Sequence, residues 1–390
     1  MRRPKIAIVH PPLGWGGSEA VALWTLTALK DEYDVSLITS GQVDIQGLNE
    51  FYGTSLTAED FSTVRAPLPR IIGKTFKFAA LRGRFVQRYC QRVASNFDLM
   101  ISTYNPQVFS VKGIQLVADL EDLSAIIPLR SWKRWWYGNT PLRKAYLTLC
   151  DRISSSGPED WKANVSLANS NWTAELMRRE YGMKAEVVYP PVPGALSDVP
   201  YGERRKGFIS IGRIIPEKRI ETIVEILRGV RGRGHDVHLH VVGSADHKNP
   251  YARRLRKECL ETDADWVSFE GSIDEESKNE LIAKHRFGIS GRKGEPFGIA
   301  VAEMVEGGCI VFVPDNGGQV EIVNHPDLVF DNVPDAIDKI DTVLTNQDIQ
   351  ERLRDHLAKG AQRFSVEQFK KGIQNAVSDF FAVATSRQAT

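Results

Sequence analysis

The sequence predicts an α/β protein built from two doubly wound parallel-sheet domains joined by a linker. Three observations carry that prediction. The chain has 390 residues, too long for one ordinary core. Short apolar runs bounded by turn residues alternate with stretches of helical periodicity, first from residue 5 and again from residue 207. Between the two series lies Tyr189-Pro-Pro-Val-Pro-Gly194, followed by a polar run to Arg205, a composition that reads as a linker.

In the first half, strands are expected near 5–9, 34–39, 98–102, 113–117, 165–168 and 186–189. In the second, a buried strand opens at Gly207, and others follow near 237–242, 266–269, 287–290, 309–313 and 327–330. The domains are placed at 1–190 and 206–365, with facing sheets that define a cleft. Phe369, Ile373, Val377 and Phe380 fall at helical spacing, so the segment from about 366 to 386 reads as a helix packed on a core.

The candidate site is read from junctions at strand ends. In Glu295-Pro296-Phe297-Gly298-Ile299-Ala-Val-Ala-Glu303, the proline suits a first helical turn and the glycine allows close approach of a ligand. A helix over about 297–307 would then aim its first amides at an anion. Glu295 would lie in the preceding loop and Glu303 two turns along, positions suited to binding the hydroxyls of a sugar and a ribose. Two glutamates alone are more simply solvated surface charges, and the surrounding segments decide the matter. Gly207 to Arg213 reads as a strand ending in Gly-Arg, with Lys218 just before a helix. Arg213 and Lys218 thus fall at the carboxyl end of a strand, where open α/β sheets bind ligands, and two cations there can neutralise a diphosphate. The turn Leu13-Gly-Trp-Gly16-Gly17-Ser-Glu19 follows the first strand and feeds a helix over about 17–30. Asn316-Gly-Gly-Gln-Val-Glu321 is a similar turn after a later strand.

Gly16-Gly17-x-Glu19, Ala168-Asn-Ser-x-x-Thr173, Gly212-Arg213-x4-Lys218, Glu295-x7-Glu303 and Gly317-Gly-x-x-Glu321-Ile-Val together resemble the retaining glycosyltransferases of family 4, and in that family's order. The resemblance implies the GT-B fold, with the helix near residue 366 crossing back to the amino-terminal domain. It also implies that Arg213 and Lys218 bind the donor diphosphate, Glu303 the ribose and Glu295 the transferred sugar. The turn Pro296-Phe297-Gly298-Ile299 would present its amides to the donor, and Gly16 and Gly17 would meet its phosphate or sugar. No metal or other cofactor is implied. One position departs: where many members carry a histidine after the strand Gly113–Val117, this chain has Ala118, followed by Asp119. Either Asp119 takes over that contact as a catalytic residue, or the sugar is held differently, or turnover is weak.

Phe297-Gly-Ile-Ala-Val-Ala-Glu303 also looks like the mannosyltransferases of lipid-linked oligosaccharide assembly. That implies GDP-mannose as donor and a glycan or lipid-linked acceptor, with UDP sugars still open. A nucleotide-sugar epimerase of the same fold and a donor-binding subunit without turnover are the alternatives.

Other features bound the function further. Net charge is only +1, yet Phe61 to Phe97 contains no acid and carries Arg65, Arg70, Lys74, Lys77, Arg82, Arg84, Arg88 and Arg92. Leu123 to Cys150 is likewise free of acids and includes Trp132-Lys-Arg-Trp-Trp-Tyr137. Aromatics beside cations suit peripheral contact with an anionic membrane. No nucleic-acid module accompanies them, so nucleic acid is not an expected partner. No run of roughly 18 apolar residues occurs and no apolar leader precedes the first strand, so a cytoplasmic enzyme, peripheral on a membrane, is expected. Cys90, Cys150, Cys259 and Cys309 lack metal or disulfide spacing. Gly14-x-Gly16 lacks the third glycine of a dinucleotide fingerprint, that place being Glu19. Asp263-Ala-Asp265 precedes a strand and reads as a solvated turn. His238 and His240 share a strand face, but with no third ligand evident they read as ordinary strand histidines. His10, at the end of the first strand, is a candidate lining residue.

Overall fold

The computed structural model describes residues 2–10, 12–69, 79–104, 106–120, 149–150, 152–153, 160–194, 199–244 and 249–388. Arg70, Lys74, Lys77 and the segment Trp132–Tyr137 with its neighbouring cations lie outside them. The chain forms two compact units, Met1–Pro191 with Val366–Thr390, and Val192–Ser365.

The first unit holds a seven-stranded sheet: β1 (Lys5–Val9), β2 (Asp34–Thr39), β3 (Ser62–Arg65), β4 (Leu99–Ser102), β5 (Ile114–Val117), β6 (Val165–Ala168) and β7 (Glu186–Val187). Their order is β3-β2-β1-β4-β5-β6-β7, and every pairing is parallel. Parallel strands are covered on both faces, so the inner strands are unbroken apolar runs; Ile6, Ala7, Ile8 and Val9 are all fully buried. β3 was not among the expected strands. It is a sheet-edge strand with mostly exposed side chains, so it shows no apolar run, only the β-branched pair Thr63-Val64.

Around this sheet lie α1 (Gly17–Leu29), α2 (Ile45–Tyr52), α3 (Ala79–Val93) and α4 (Asn171–Tyr181). The chain's last helix packs on the same unit, and its spacing explains why. Phe369, Ile373, Ala376 and Val377 lie on one helical stripe, are all buried, and join α1 in the core with Leu23 and Leu26. Gln374 ties the two helices by donating to the Ala28 carbonyl at 2.9 Å.

The second unit repeats the design. Its strands are β8 (Arg205–Ile211), β9 (Leu239–Val242), β10 (Val267–Gly271), β11 (His285–Ile289), β12 (Ile310–Pro314) and β13 (Val329–Phe330). They run parallel in the order β10-β9-β8-β11-β12-β13. Between them come α5 (Ile220–Gly232), α6 (Pro250–Thr262), α7 (Glu275–Ala283), α8 (Ile299–Glu306), α9 (Gln319–Val323), α10 (Val333–Thr345) and α11 (Gln347–Ala361), before the terminal helix α12 (Val366–Gln388). Phe208, Phe287 and Phe312 stack across β8, β11 and β12, with Phe208 centroids 5.2 and 6.2 Å from the other two. In both sheets the order reverses beside the first strand, at β1/β4 and at β8/β11. Such switch points open a crevice at the carboxyl ends, which is where a ligand fits.

Two sequence-based expectations need correcting. The stretch from residue 189 onward is not all linker: Val192 bridges to Ser365 inside the second unit, and β8 already begins at Arg205. The helix after Glu295 begins at Ile299, not near 297, with Gly298 as its cap at φ 102°. Pro296 therefore lies outside the first turn, because the left-handed glycine turns the chain before the helix can start.

The packing of α12 carries a stability consequence. Replacing Phe369 by Ala removes a fully buried ring and should destabilise the first unit by about 3 kcal/mol, as large-to-small core changes do. Urea unfolding monitored on that unit checks this, and an unchanged midpoint would show that α12 does not anchor there.

Candidate active site

β8 ends at Ile211, and the chain then turns through Gly212, Arg213 and a short 3-10 turn over Pro216–Lys218 before α5. Arg219 sits at φ 50°, a left-handed cap that swings the chain from the turn into the helix. This path carries Lys218 back toward the carboxyl ends of β8 and β11. A small hollow there is lined by Ser210, Gly212, Lys218, Ser290 and Gly291.

Lys218 donates to Glu295 Oε2 at 2.7 Å, while Arg292 donates to Glu295 Oε1 at 3.2 Å. The Glu295 side chain is only 13% exposed. Burial alone would raise its pKa, but Lys218, Arg292 and, more distantly, Arg213 outweigh it and hold the carboxyl below its ordinary range. Arg213 itself is exposed. Arg292 was not among the expected site residues. It lies between two motifs, and only the turn that follows β11 brings it to Glu295.

The backbone around Glu295 is held as firmly as its side chain. Gly318 donates to the Glu295 carbonyl at 2.8 Å, and Gly294 donates to the Asn316 carbonyl at 3.0 Å. Gly317, at φ 110°, lies so close that a Cβ there would come within 2.4 Å of the Glu295 carbonyl oxygen and 2.6 Å of its nitrogen. Gln319 adds a bond from its amide to the Arg292 carbonyl at 2.6 Å. The Gly317-Gly318 motif, read from sequence as a turn feeding a helix, thus also serves as the clamp on the Glu295 loop.

Glu303 is the fifth residue of α8, little more than one turn along instead of two. It pairs with Lys278 of α7 at 3.0 Å, and Lys278 also contacts Glu275. Burial, with Glu275 adding to it, raises the Glu303 pKa above its ordinary range against the pull of Lys278. Burial works against the Lys278 ammonium, but Glu303 and Glu275 together raise its pKa. No sequence signal marks Lys278, because the contact joins two helices 25 residues apart.

Phe297, expected to bind donor, is 2% exposed, and its ring packs edge-on against Phe364 at 5.4 Å. Its side chain is a core anchor and does not face a ligand. Pro296 and Gly298 are buried beside it, and Ile299 is half-buried.

The first unit's glycine turn is also partly committed. Gly16 donates its amide to the Tyr52 hydroxyl at 2.6 Å and accepts from the same hydroxyl at 2.8 Å. Glu19 folds back over the turn and accepts from the Gly14 amide at 3.1 Å. Gly16 is therefore a cap for α1, and its amide does not point to a ligand; Gly17 opens the helix. His10 is buried at the end of β1, edge-on to Tyr104. Asp119 follows β5 and is exposed, while the Ala118 carbonyl before it accepts from Asn169 at 2.9 Å. Ala168-Asn-Ser-x-x-Thr173 proves to be a helix start, with the Ser170 hydroxyl accepting from the Thr173 amide at 3.0 Å.

Two Rossmann-like sheets of parallel strands with interleaved helices define the GT-B fold, and the second sheet carries a charged cluster at the β8/β11 switch point. Residues 198–364, within the second unit, match the family model for glycosyl transferases group 1. The human alpha-1,3/1,6-mannosyltransferase ALG2 is 25% identical over 386 residues, covering 86% of this chain and 85% of that protein. A Dictyostelium discoideum GDP-Man:Man(3)GlcNAc(2)-PP-Dol alpha-1,2-mannosyltransferase is 24% identical over 233 residues, covering 53% of this chain and 45% of that one. The chain spans about half the length of the first curated relatives it matches, 47% and 45%. Among solved structures, Anabaena Alr3699/HepE in complex with UDP and glucose superposes with a TM-score of 0.69 at 15% identity, covering 96% of this chain and 99% of that one.

The ion cluster predicts a pH signature. A carboxylate with a lowered folded pKa contributes stability that is complete above its unfolded value near 4.5 and is lost as pH falls through the folded value. Glu295→Gln should therefore be less stable than the parent chain at neutral pH, with the gap closing below about pH 4.5. Thermal unfolding across pH 3 to 7 reads this out, and a gap that stays constant would remove the ion pairs as its cause.

Proposed function

We propose that this protein transfers a sugar from a nucleoside diphosphate donor to a hydroxyl of a glycan or lipid-linked acceptor, retaining the anomeric configuration. Mannose from GDP-mannose is our first assignment. The observation that carries the proposal is the preorganised cluster of Lys218, Arg292 and Glu295 beside Arg213 at the β8/β11 switch point. The mannosyltransferase relatives support the choice of donor.

In this reading the departing diphosphate draws on cations that are already in place. Lys218 is held at 2.7 Å by Glu295, so it does not need to be ordered as charge develops on the leaving group. Arg213, exposed at the end of β8, meets the same phosphates. Glu295 accepts from hydroxyls of the transferred sugar, and Glu303 accepts from the ribose once Lys278 shares it. The donor site needs no metal, because these side chains supply the positive charge. Asp119 remains a proposed contact to the sugar on the first unit.

Contact with an anionic membrane is part of the proposal. α3 carries Arg82, Arg84, Arg88 and Arg92 and no acidic residue. Among the described residues no helix is long and apolar enough to cross a membrane, so contact would be peripheral.

Lys218→Ala should lower kcat/KM for mannosyl transfer from GDP-mannose by at least a hundredfold, about 3 kcal/mol, the loss typical of one preorganised donor to a developing anion. Product analysis with GDP-mannose, UDP-glucose and acceptor, alongside a thermal-shift series over GDP, UDP, ADP and dTDP, checks both turnover and base. An unchanged rate constant in the variant would contradict the role of Lys218. Epimerised product from donor alone would replace transfer by epimerisation.

A further inference from the structure

At the opposite end of the second sheet, three histidines meet. His238 immediately precedes β9, His240 is the second residue of that strand, and His285 opens β11. β8 runs between β9 and β11, so side chains on the outer two strands are normally about 10 Å apart. Gly207 of β8 removes that barrier. A Cβ there would lie 2.1 Å from His238 Nε2, so only glycine lets the His238 ring lie across the strand. The His238 and His285 Nε2 atoms are consequently 3.2 Å apart. The His240 ring centroid is 5.2 Å from that of His238 and 4.7 Å from that of His285. One nitrogen from each of the three rings lies within 4.8 Å of one from each of the others.

The other nitrogens are arranged as metal ligands need. His285 Nδ1 lies 2.6 Å from the Leu281 carbonyl, which can only accept, so Nδ1 carries the proton and Nε2 presents a lone pair. His240 Nδ1 lies 2.6 Å from a Glu270 carboxylate oxygen, an outer partner that orients the ring. Tetrahedral zinc with bonds of about 2.0–2.1 Å sets ligand nitrogens roughly 3.3 Å apart, which the His238–His285 separation already matches. Arg205 and Arg231 oppose a cation here, whereas Asp236 and Glu270 offset them. His240 and Glu270 keep 16% and 31% exposure, which leaves an entry path and a fourth position for water.

We propose that His238, His240 and His285 form a binding site for a transition-metal dication of the zinc class, joining β9 to β11 over Gly207 and remote from the donor hollow. The site is independent of the proposed reaction. It would act as a structural tie at the amino-terminal edge of the sheet.

Cobalt(II) and zinc titrations of the full chain, carrying no affinity tag and stripped with chelator, test the proposal. The expected result is one ion per chain, with the visible absorption of tetrahedral cobalt that zinc displaces. His240→Ala, a change at a partly exposed position, and His285→Gln should each weaken binding at least a hundredfold. Glu270→Gln should weaken it ten- to a hundredfold, as loss of a carboxylate behind a ligating histidine does. Zinc should raise the melting temperature of the parent chain and leave that of His240→Ala unmoved. No stoichiometric binding tighter than about 10 μM at neutral pH, or binding indifferent to both histidine substitutions, would overturn the site and leave a cluster of hydrogen-bonded core histidines.

Discussion

The candidate donor site depends on one constraint: a carboxylate mostly removed from water must be met by positive charge, and Glu295 is met by two cations. Lys218 comes from the turn after β8 and Arg292 from the turn after β11, so the ion pairs join the two strands that flank the switch point. Arg292 is held within the same turn as Glu295, three residues away, whereas Lys218 reaches it from a separate segment. The long side chains lose rotamer freedom in doing so, and that loss is offset because the surrounding backbone is already fixed by the clamp at Gly317-Gly318.

The clamp shows how one loop organises another. Glu295 and Gly317 form an isolated parallel bridge, which places the side chain of one and the missing side chain of the other in a single arrangement. A glycine in that position serves packing, and the same residue in sequence looks like a ligand turn. The two uses have the same local signature, a small residue at a strand end. Only the distance to the Glu295 backbone separates them. Gly16 gives the same lesson in the first unit, where the Tyr52 hydroxyl occupies the amide that a phosphate would otherwise meet.

The second sheet gathers polar side chains at both ends by different means. At the carboxyl ends, the turns bring cations to an acid. At the amino ends, a glycine in the central strand brings together histidines from strands that do not touch. Sequence spacing showed His238 and His240 on one face but gave no third partner, because His285 lies 47 residues from His238 and reaches it only across β8. The shift in register between β11 and β8 around His285 belongs to the same local adjustment.

By itself the sequence determined the class of fold, most strands, the helical stripe of α12 and the places where Arg213, Lys218, Glu295 and Glu303 stand in the strand–turn–helix order. Those features are local, since hydrophobic period and turn residues act over a few positions. The tertiary structure decided which side chains meet. It paired Glu303 with Lys278, buried Phe297 against Phe364, brought Lys218 to Glu295, and gathered His285 to the other two histidines, because each of these contacts closes only when separate elements pack against one another.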